Sequence, residues 1–140
     1  MPTRPKLYVA GSSRELDRAR AVVATLSRHF EIVSTWIAAV ESAGAENPTD
    51  RATRLRCLDE LDRADTLLLL VPREENHSHG AFFELGYAVA TRKRTVASGL
   101  TGRSIFCVQC EEEFESDRHA IDWLVNEAWH HRLANRWYGQ

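Results

Sequence analysis

The stretch Thr66-Leu67-Leu68-Leu69-Leu70-Val71 is an apolar run that opens on a single threonine. A run of this length without polar alternation is typical of a β-strand buried on both faces, as in parallel sheets covered by helices. We therefore expect it to form the central strand of an α/β domain.

The rest of the chain alternates between strand and helix patterns. The predicted strands are 6–10, 31–36, 66–71, 94–97 and 104–108, and helices are predicted from 16, at 51–63, at 80–91 and after the capping residue Ser116. This alternation predicts a single-domain α/β fold over residues 1–140: a doubly wound, flavodoxin/Rossmann-like parallel five-stranded sheet of order 2-1-3-4-5, with helices on both faces. Ligands bind at the carboxyl ends of such strands. The polar segment 41–50 is predicted to be a long loop, and the acidic run 111–113 a solvated face.

Composition excludes several classes of protein. The 140 residues carry a formal net charge of -2, which provides no basic field for a nucleic-acid partner. No apolar stretch approaches the roughly 20 residues that cross a bilayer, and no signal-peptide pattern precedes the first strand, so a cytoplasmic protein is expected. The three cysteines are expected to be reduced thiols, and Cys107 and Cys110, although spaced like a redox or zinc half-motif, to be packing residues.

Glu84 is the only ionisable carboxylate in the apolar segment 81–90. An unpaired carboxylate is costly in a buried helix, so Glu84 is expected to face a cavity or a partner. About one turn after Gly80, it is also expected to be ionised by the helix dipole. Two interpretations stay open, namely a covalent nucleophile and a glutamate paired with an arginine at a subunit interface.

The loop Gly11-Ser12-Ser13-Arg14 lies between the first strand and a helix. Its backbone N–H groups, hydroxyls and guanidinium suit a phosphate, although Ser12 with Glu15 is also the pattern of an ordinary capping box. Trp36, at the end of the second predicted strand, either stacks on a base or covers the core.

These segments together resemble the nucleoside 2-deoxyribosyltransferase superfamily, and within it the 2'-deoxynucleoside 5'-monophosphate N-glycosidases. The resemblance spans roughly residues 6 to 98. It rests on Leu7-Tyr8-Val9-Ala10-Gly11-Ser12, on Ala64-Asp65 before the central strand, and on Gly80 with Glu84-Leu85-Gly86-Tyr87-Ala88, followed by Arg92-Lys93-Arg94.

The resemblance implies a role for each matching residue. Glu84 corresponds to the catalytic nucleophile and Tyr8 to the aromatic residue near the sugar. Ser12 and Arg14 correspond to positions that hold the 5'-phosphate. Ser78, six residues before Glu84, corresponds to a phosphate-binding serine where transferases acting on free nucleosides carry an aspartate. Because a serine donates to phosphate and an aspartate repels it, a monophosphate is expected.

One position departs from the family pattern. An aspartate that assists the leaving base usually stands eight residues before Asp65, and here that position is Cys57. Asp59 lies about 200° further around the helix and is not a simple substitute. Either Asp65, Glu75 or His79 handles the proton, or the reaction is slow or absent.

The resulting prediction is an enzyme that cleaves the N-glycosidic bond of a (deoxy)nucleoside 5'-monophosphate through a covalent glycosyl-Glu84 intermediate. Neither a cofactor nor a metal is expected. The substrate-binding residues are predicted to be Gly11, Ser12, Ser13, Arg14, Trp36, Ser78 and Gly80. Alternatives are a transferase that exchanges bases, a nucleotide-binding protein without turnover, and an NAD-directed glycohydrolase.

The resemblance also implies a homo-oligomer, a dimer or higher, in which neighbouring subunits complete the active site. Near the end of the chain, Trp129, Trp137 and Tyr138 are candidates for packing against a neighbouring subunit.

Overall fold

The apolar run after Asp65 forms a strand, β3 (Thr66–Leu70), in which every residue is buried. The structure, a computed structural model, describes residues 3–43, 51–73, 79–99 and 110–138. Other elements in this part of the chain are β1 (Lys6–Ala10), a 3-10 helix (Ser13–Glu15), α1 (Leu16–Leu26), β2 (Glu31–Ile32), α2 (Trp36–Ala43), α3 (Arg51–Arg63), α4 (His79–Ala90), β4 (Arg94–Ser98), β5 (Glu112–Phe114) and α5 (Asp117–Tyr138).

The five strands form one parallel sheet in the order β2-β1-β3-β4-β5, which confirms the predicted fold. The strand order reverses between β1 and β3, so the loops that follow these two strands diverge and leave a crevice at the carboxyl edge. This is where a ligand site is expected in a sheet of this order.

Alternation along the central strands divides the core into two layers. From β1, Tyr8 faces the layer that α3 and α4 cover, whereas Leu7 and Val9 face the layer that α1 and α5 cover. In β3, Leu67 and Leu69 belong to the first layer and the intervening leucines to the second. Helices therefore cover both faces of the sheet, as the unbroken apolar run indicates.

The second strand is shorter than predicted, because side chains replace the backbone ladder after Val33, whose N–H donates to the Leu7 carbonyl at 2.9 Å. The Val9 N–H donates to Ser34 Oγ at 3.1 Å, and the Trp36 indole N–H donates to the Val9 carbonyl at 2.7 Å. Trp36 thus begins α2 instead of ending β2, and that helix extends to Ala43 into the segment predicted as a loop. Residues 44–50 lie outside the described part of the chain.

The fifth strand lies in the acidic run. Its backbone pairs with β4, while the side chains of Glu112 and Glu113 are exposed as predicted. The strand predicted at 104–108 lies outside the described residues. Ser116 caps α5 as expected, since its hydroxyl accepts the His119 N–H at 3.3 Å. No helix in the described ranges is long and apolar enough to cross a membrane.

Candidate active site

Glu84 lies in the second turn of α4 and points into the protein. Its residue exposure is 7%, and Tyr8, fully buried on β1, donates its hydroxyl to Glu84 Oε1 at 3.0 Å. The two residues come from different elements, 76 positions apart, and meet because α4 packs over β1. A carboxylate buried on a helix and oriented by one phenol is held in a defined position.

Burial raises the pKa of Glu84 to about 7, against the Tyr8 hydrogen bond and the Arg54 charge, which lower it. The buried carboxylate of Glu60 raises it further. Glu84 is the sixth residue of α4, beyond the first turn in which the helix dipole is strong, so desolvation dominates. Burial of the carboxyl therefore opposes the ionised form that the helix dipole was expected to favour.

Arg54, on α3, is a site residue that the sequence did not reveal. Its Nη1 lies 4.0 Å from Glu84 Oε1, and its side chain is 47% exposed whereas that of Glu84 is 9% exposed. The same guanidinium covers Gly80, where a Cβ would lie 2.9 Å from Nη2. A side chain at position 80 would displace Arg54. Gly80 therefore has a packing role, in addition to the substrate-binding role predicted for it.

Cys57 lies on α3 one turn after Arg54 and is buried beside Tyr8. The Tyr8 hydroxyl is within hydrogen-bonding reach of the thiol, and burial raises the pKa of Cys57 above its usual value. The thiol is therefore neutral at physiological pH. The position that the family pattern gives to an acid holds an uncharged group.

Glu60 is a second buried carboxylate, only 2% exposed, that was missed. It accepts hydrogen bonds from the Thr35 hydroxyl at 2.7 Å and the Thr35 N–H at 3.2 Å, so it fixes the start of α2. The sequence could have indicated Glu60 through its position, which is three residues after Cys57 and on the same side of the helix.

Two of the suggested proton donors lie away from Glu84. Asp65 accepts the Lys6 N–H at 2.8 Å and so lies at the amino ends of the strands. His79 is exposed at the first position of α4. The predicted phosphate ligand Ser78, together with Glu75 and His77, lies outside the described residues.

The loop after β1 lies at the carboxyl edge of the sheet, as predicted. Ser12 is buried and caps the 3-10 helix by accepting the Arg14 N–H at 3.2 Å, and Ser13 is partly buried. The Arg14 side chain is exposed. Gly11 lies against Trp36, since a Cβ there would be 3.7 Å from the indole ring.

Trp36 covers the core. Its indole N–H is bonded to β1, and its ring packs against the clusters on both faces of the sheet. The residue is only partly buried, and its ring lies against Gly11 of the first loop.

A buried arginine joins the loops around the crevice. Arg18, on α1, binds both carboxylate oxygens of Asp117 at 2.8 Å and donates to the backbone carbonyls of Val71 and Ser98. It also pairs with Glu15 at 3.1 Å. Although burial alone would raise the pKa of Asp117, hydrogen bonds from Arg18 and Ser98 lower it below its ordinary value.

Glu15 extends this network to the segment after β3. One of its carboxylate oxygens accepts the Arg73 N–H at 3.0 Å, so it does not act as a simple capping-box glutamate. The loop that holds Ser12 and the segment that leads toward position 78 are therefore tied together. We refer to Glu15, Arg18, Ser98 and Asp117 as the Arg18 network.

Comparison with known proteins agrees with this geometry. A family model described as "Nucleoside 2-deoxyribosyltransferase" matches residues 7–120. No curated protein sequence matches the chain.

Two solved structures are similar in fold, each with 14% sequence identity. One is a conserved protein from Enterococcus faecalis V583, with a TM-score of 0.64 over 89% of this chain and 99% of that one. The other is the CMP N-glycosidase BcmB from Clostridium botulinum, with a TM-score of 0.55 over 85% of this chain and 97% of that one.

Proposed function

Since the chain belongs to the nucleoside 2-deoxyribosyltransferase family, we propose that it cleaves the N-glycosidic bond of a nucleoside 5'-monophosphate. The observation that carries the proposal is the buried carboxylate of Glu84, whose Oε1 accepts the Tyr8 hydroxyl at 3.0 Å and lies 4.0 Å from the half-exposed guanidinium of Arg54. Such a carboxylate suits the capture of an oxocarbenium-like sugar.

In the proposed reaction, a lone pair of the ionised Glu84 carboxylate forms a bond to the anomeric carbon as the base departs with the bonding electrons of the C–N bond. Tyr8 orients the carboxylate and is near the sugar. Water then attacks the same carbon, Glu84 leaves as a carboxylate, and the released base takes up the proton of that water.

The proposed phosphate site consists of the Ser12 hydroxyl, the Arg14 guanidinium and Ser78, with backbone contacts from Gly11, Ser13 and Gly80. An exposed arginine beside backbone N–H groups at the end of a strand is a common arrangement for phosphate binding. The similar fold of a CMP N-glycosidase supports a monophosphate as substrate. Trp36, which is only partly buried, is proposed to contact the base.

Two alternatives each have an observation in their favour. The family description favours transfer of the deoxyribosyl group to a second base. The neutral thiol at Cys57 favours a nucleotide-binding protein that has lost turnover, since it cannot act as the usual acid.

The decisive experiment incubates the protein with ribo- and deoxynucleoside 5'-monophosphates and their unphosphorylated nucleosides, and measures free base by chromatography. We expect base release from a monophosphate, and a loss of at least about a hundredfold in Glu84→Gln because the nucleophile is removed. Glu115→Gln, which neutralises an exposed glutamate, is the matched control and should behave as the unmodified protein.

The outcomes separate the candidate functions. Base release that persists in Glu84→Gln removes Glu84 from the mechanism. Base exchange in the presence of a second base, without net hydrolysis, identifies a transferase. Calorimetric binding of a nucleotide without release of base identifies a binding protein and contradicts the proposed function.

A further inference from the structure

The guanidinium of Arg54 is close to Glu84 but is not committed to it. A separation of 4.0 Å is longer than a charge-assisted hydrogen bond, and about half of the Arg54 side chain is exposed. A loose pair of this kind leaves donors of Arg54 available to a bound ligand. The cation also lies at Gly80, at the amino-terminal end of α4, where the helix dipole gives it no support.

The charges around the nucleophile are unusual for a site that would protonate its leaving group. Cys57 and Arg54 lie three residues apart on the same side of α3 and present a neutral thiol and a cation. The remaining buried carboxylate nearby, Glu60, is occupied by Thr35. Among the described residues that surround Glu84, therefore, the expected position of the acid holds a neutral thiol, and a cation lies one turn before it on the same helix.

The reaction moves one negative charge across this site. When Glu84 forms its bond to the anomeric carbon, the carboxylate becomes a neutral ester and the electrons of the C–N bond go to the base. A base that is not protonated then carries the charge that Glu84 has lost. A cation beside Glu84 loses its ion-pair partner at the moment when this new anion forms nearby, and a fixed charge in that position stabilises the transition state.

We propose that Arg54 is a catalytic residue that stabilises the departing base as an anion, so that the substrates are nucleotides of pyrimidines with a carbonyl oxygen next to the glycosidic nitrogen. This inference rests on the proposed function. In such bases the negative charge spreads from the nitrogen onto the adjacent oxygen, an acceptor for the planar guanidinium donors. The anion takes its proton from water after the C–N bond has broken, and no acid at position 57 is required.

The test compares leaving bases that differ in acidity but hardly in shape. Single-turnover release of base is measured for 2'-deoxyuridine 5'-monophosphate and its 5-fluoro analogue, whose base is the more stable anion. The proteins are the unmodified chain, Arg54→Gln, Arg54→Lys and Arg56→Gln. Arg56 is also exposed on α3 but lies about 200° around the helix from Arg54, so it is the matched control. Thermal unfolding checks that each variant is folded.

We expect the unmodified protein to release the fluorinated base faster, by at least about tenfold. Arg54→Gln should slow release of uracil about a hundredfold, as for loss of one stabilising donor, and release of the fluorinated base distinctly less. Arg54→Lys keeps the charge and should recover part of the loss, whereas Arg56→Gln should match the unmodified protein.

The inference is overturned if release depends on Glu84 while Arg54→Gln behaves like Arg56→Gln, or while it slows both substrates equally. It is also overturned if only purine nucleotides are cleaved. These results leave the proposed function standing. Absence of base release from every nucleotide overturns the proposed function and this inference together.

Discussion

At the scale of single residues, Glu84 has two opposing requirements. The proposed reaction favours a carboxyl shielded from water, but burial in an apolar helix raises its pKa to about 7. A carboxylate nucleophile must be ionised, and burial lowers the ionised fraction near neutral pH. The Tyr8 hydrogen bond and the Arg54 charge both lower the pKa and so increase the reactive fraction.

This balance predicts the pH dependence of base release. The value of kcat/KM should rise with pH through an acid limb near pH 7, because only ionised Glu84 reacts. Tyr8→Phe removes a hydrogen bond that lowers the Glu84 pKa, so the limb should move upward by about one pH unit. The substrate phosphate titrates identically in both proteins, which makes the difference specific to the enzyme. A limb that stays in place in Tyr8→Phe would contradict this assignment.

At the scale of secondary-structure elements, the sequence predicted those strands, helices and caps that depend on local residue patterns. The apolar run before Pro72, the buried helix around Glu84 and the cap at Ser116 were recognisable because local patterns determine them. The early end of β2 was not, since it depends on side chains of Ser34 and Trp36 that bond to the neighbouring strand β1. A contact across strands has no signature in a local window.

In the candidate site, too, residues marked by a local pattern were predicted and residues that depend on the fold were not. Glu84 stood out because a carboxylate in an apolar segment needs a partner, whereas Tyr8 was predicted only through the resemblance to the family. Arg54 was hidden in a helix rich in charged residues, where an arginine is the common solvated residue. The Arg18 network was hidden for a different reason, since Ser98 and Asp117 come from segments that only the fold brings to the helical segment of Glu15 and Arg18.

The network predicts a coupling between the two loops of the proposed phosphate site. Glu15→Ala removes the carboxylate that holds the Arg73 N–H and pairs with Arg18. We expect the Kd of a nucleoside monophosphate to rise about tenfold, the loss of roughly one charge-assisted hydrogen bond, with the affinity for the nucleoside unchanged. Calorimetry measures both.

The control for this prediction is Asp17→Ala. Asp17 is also an acid of the first helical segment, but its side chain is 98% exposed. It should leave both affinities unchanged. An equal loss of nucleoside and nucleotide binding in Glu15→Ala would indicate general loosening of the site instead of a phosphate contact.

At the scale of the whole molecule, Glu84 lowers the free energy of unfolding at neutral and higher pH. Its pKa is raised from 4.5 in the unfolded chain to about 7 in the folded one, so the folded state binds its proton more tightly. The stabilisation is fully present below pH 4.5 and is lost as pH rises through 7, a loss of about 3 kcal/mol in the free energy of unfolding.

Glu84→Gln should abolish this pH dependence and exceed the unmodified protein in stability at pH 8. Denaturant unfolding at pH 4.5 and pH 8 measures the difference between the two proteins, with Glu115→Gln as the control. A parallel pH dependence in the unmodified protein and Glu84→Gln would show that the carboxyl is not desolvated in the folded state.

Assembly remains a prediction at this scale. Among the side chains that the structure describes, three large apolar ones are more than half exposed: Leu55 on α3, Phe83 on α4 and Trp129 on α5. The first two stand on the helices that carry Arg54 and Glu84. Their exposure agrees with the homo-oligomer that the sequence led us to expect, while the side chains of Trp137 and Tyr138 lie outside the described part of the chain.

The outer strands of the sheet limit the ways in which copies of this chain can associate. β2 has two residues and β5 has three, and the side chains of Glu31, Glu112 and Glu113 along them are exposed acids. Edges this short and this charged offer almost no template on which a further strand could be added. Copies of the chain are therefore expected to associate through helix surfaces, and growth of the sheet from one molecule into the next, the usual route to fibrils, is disfavoured by construction.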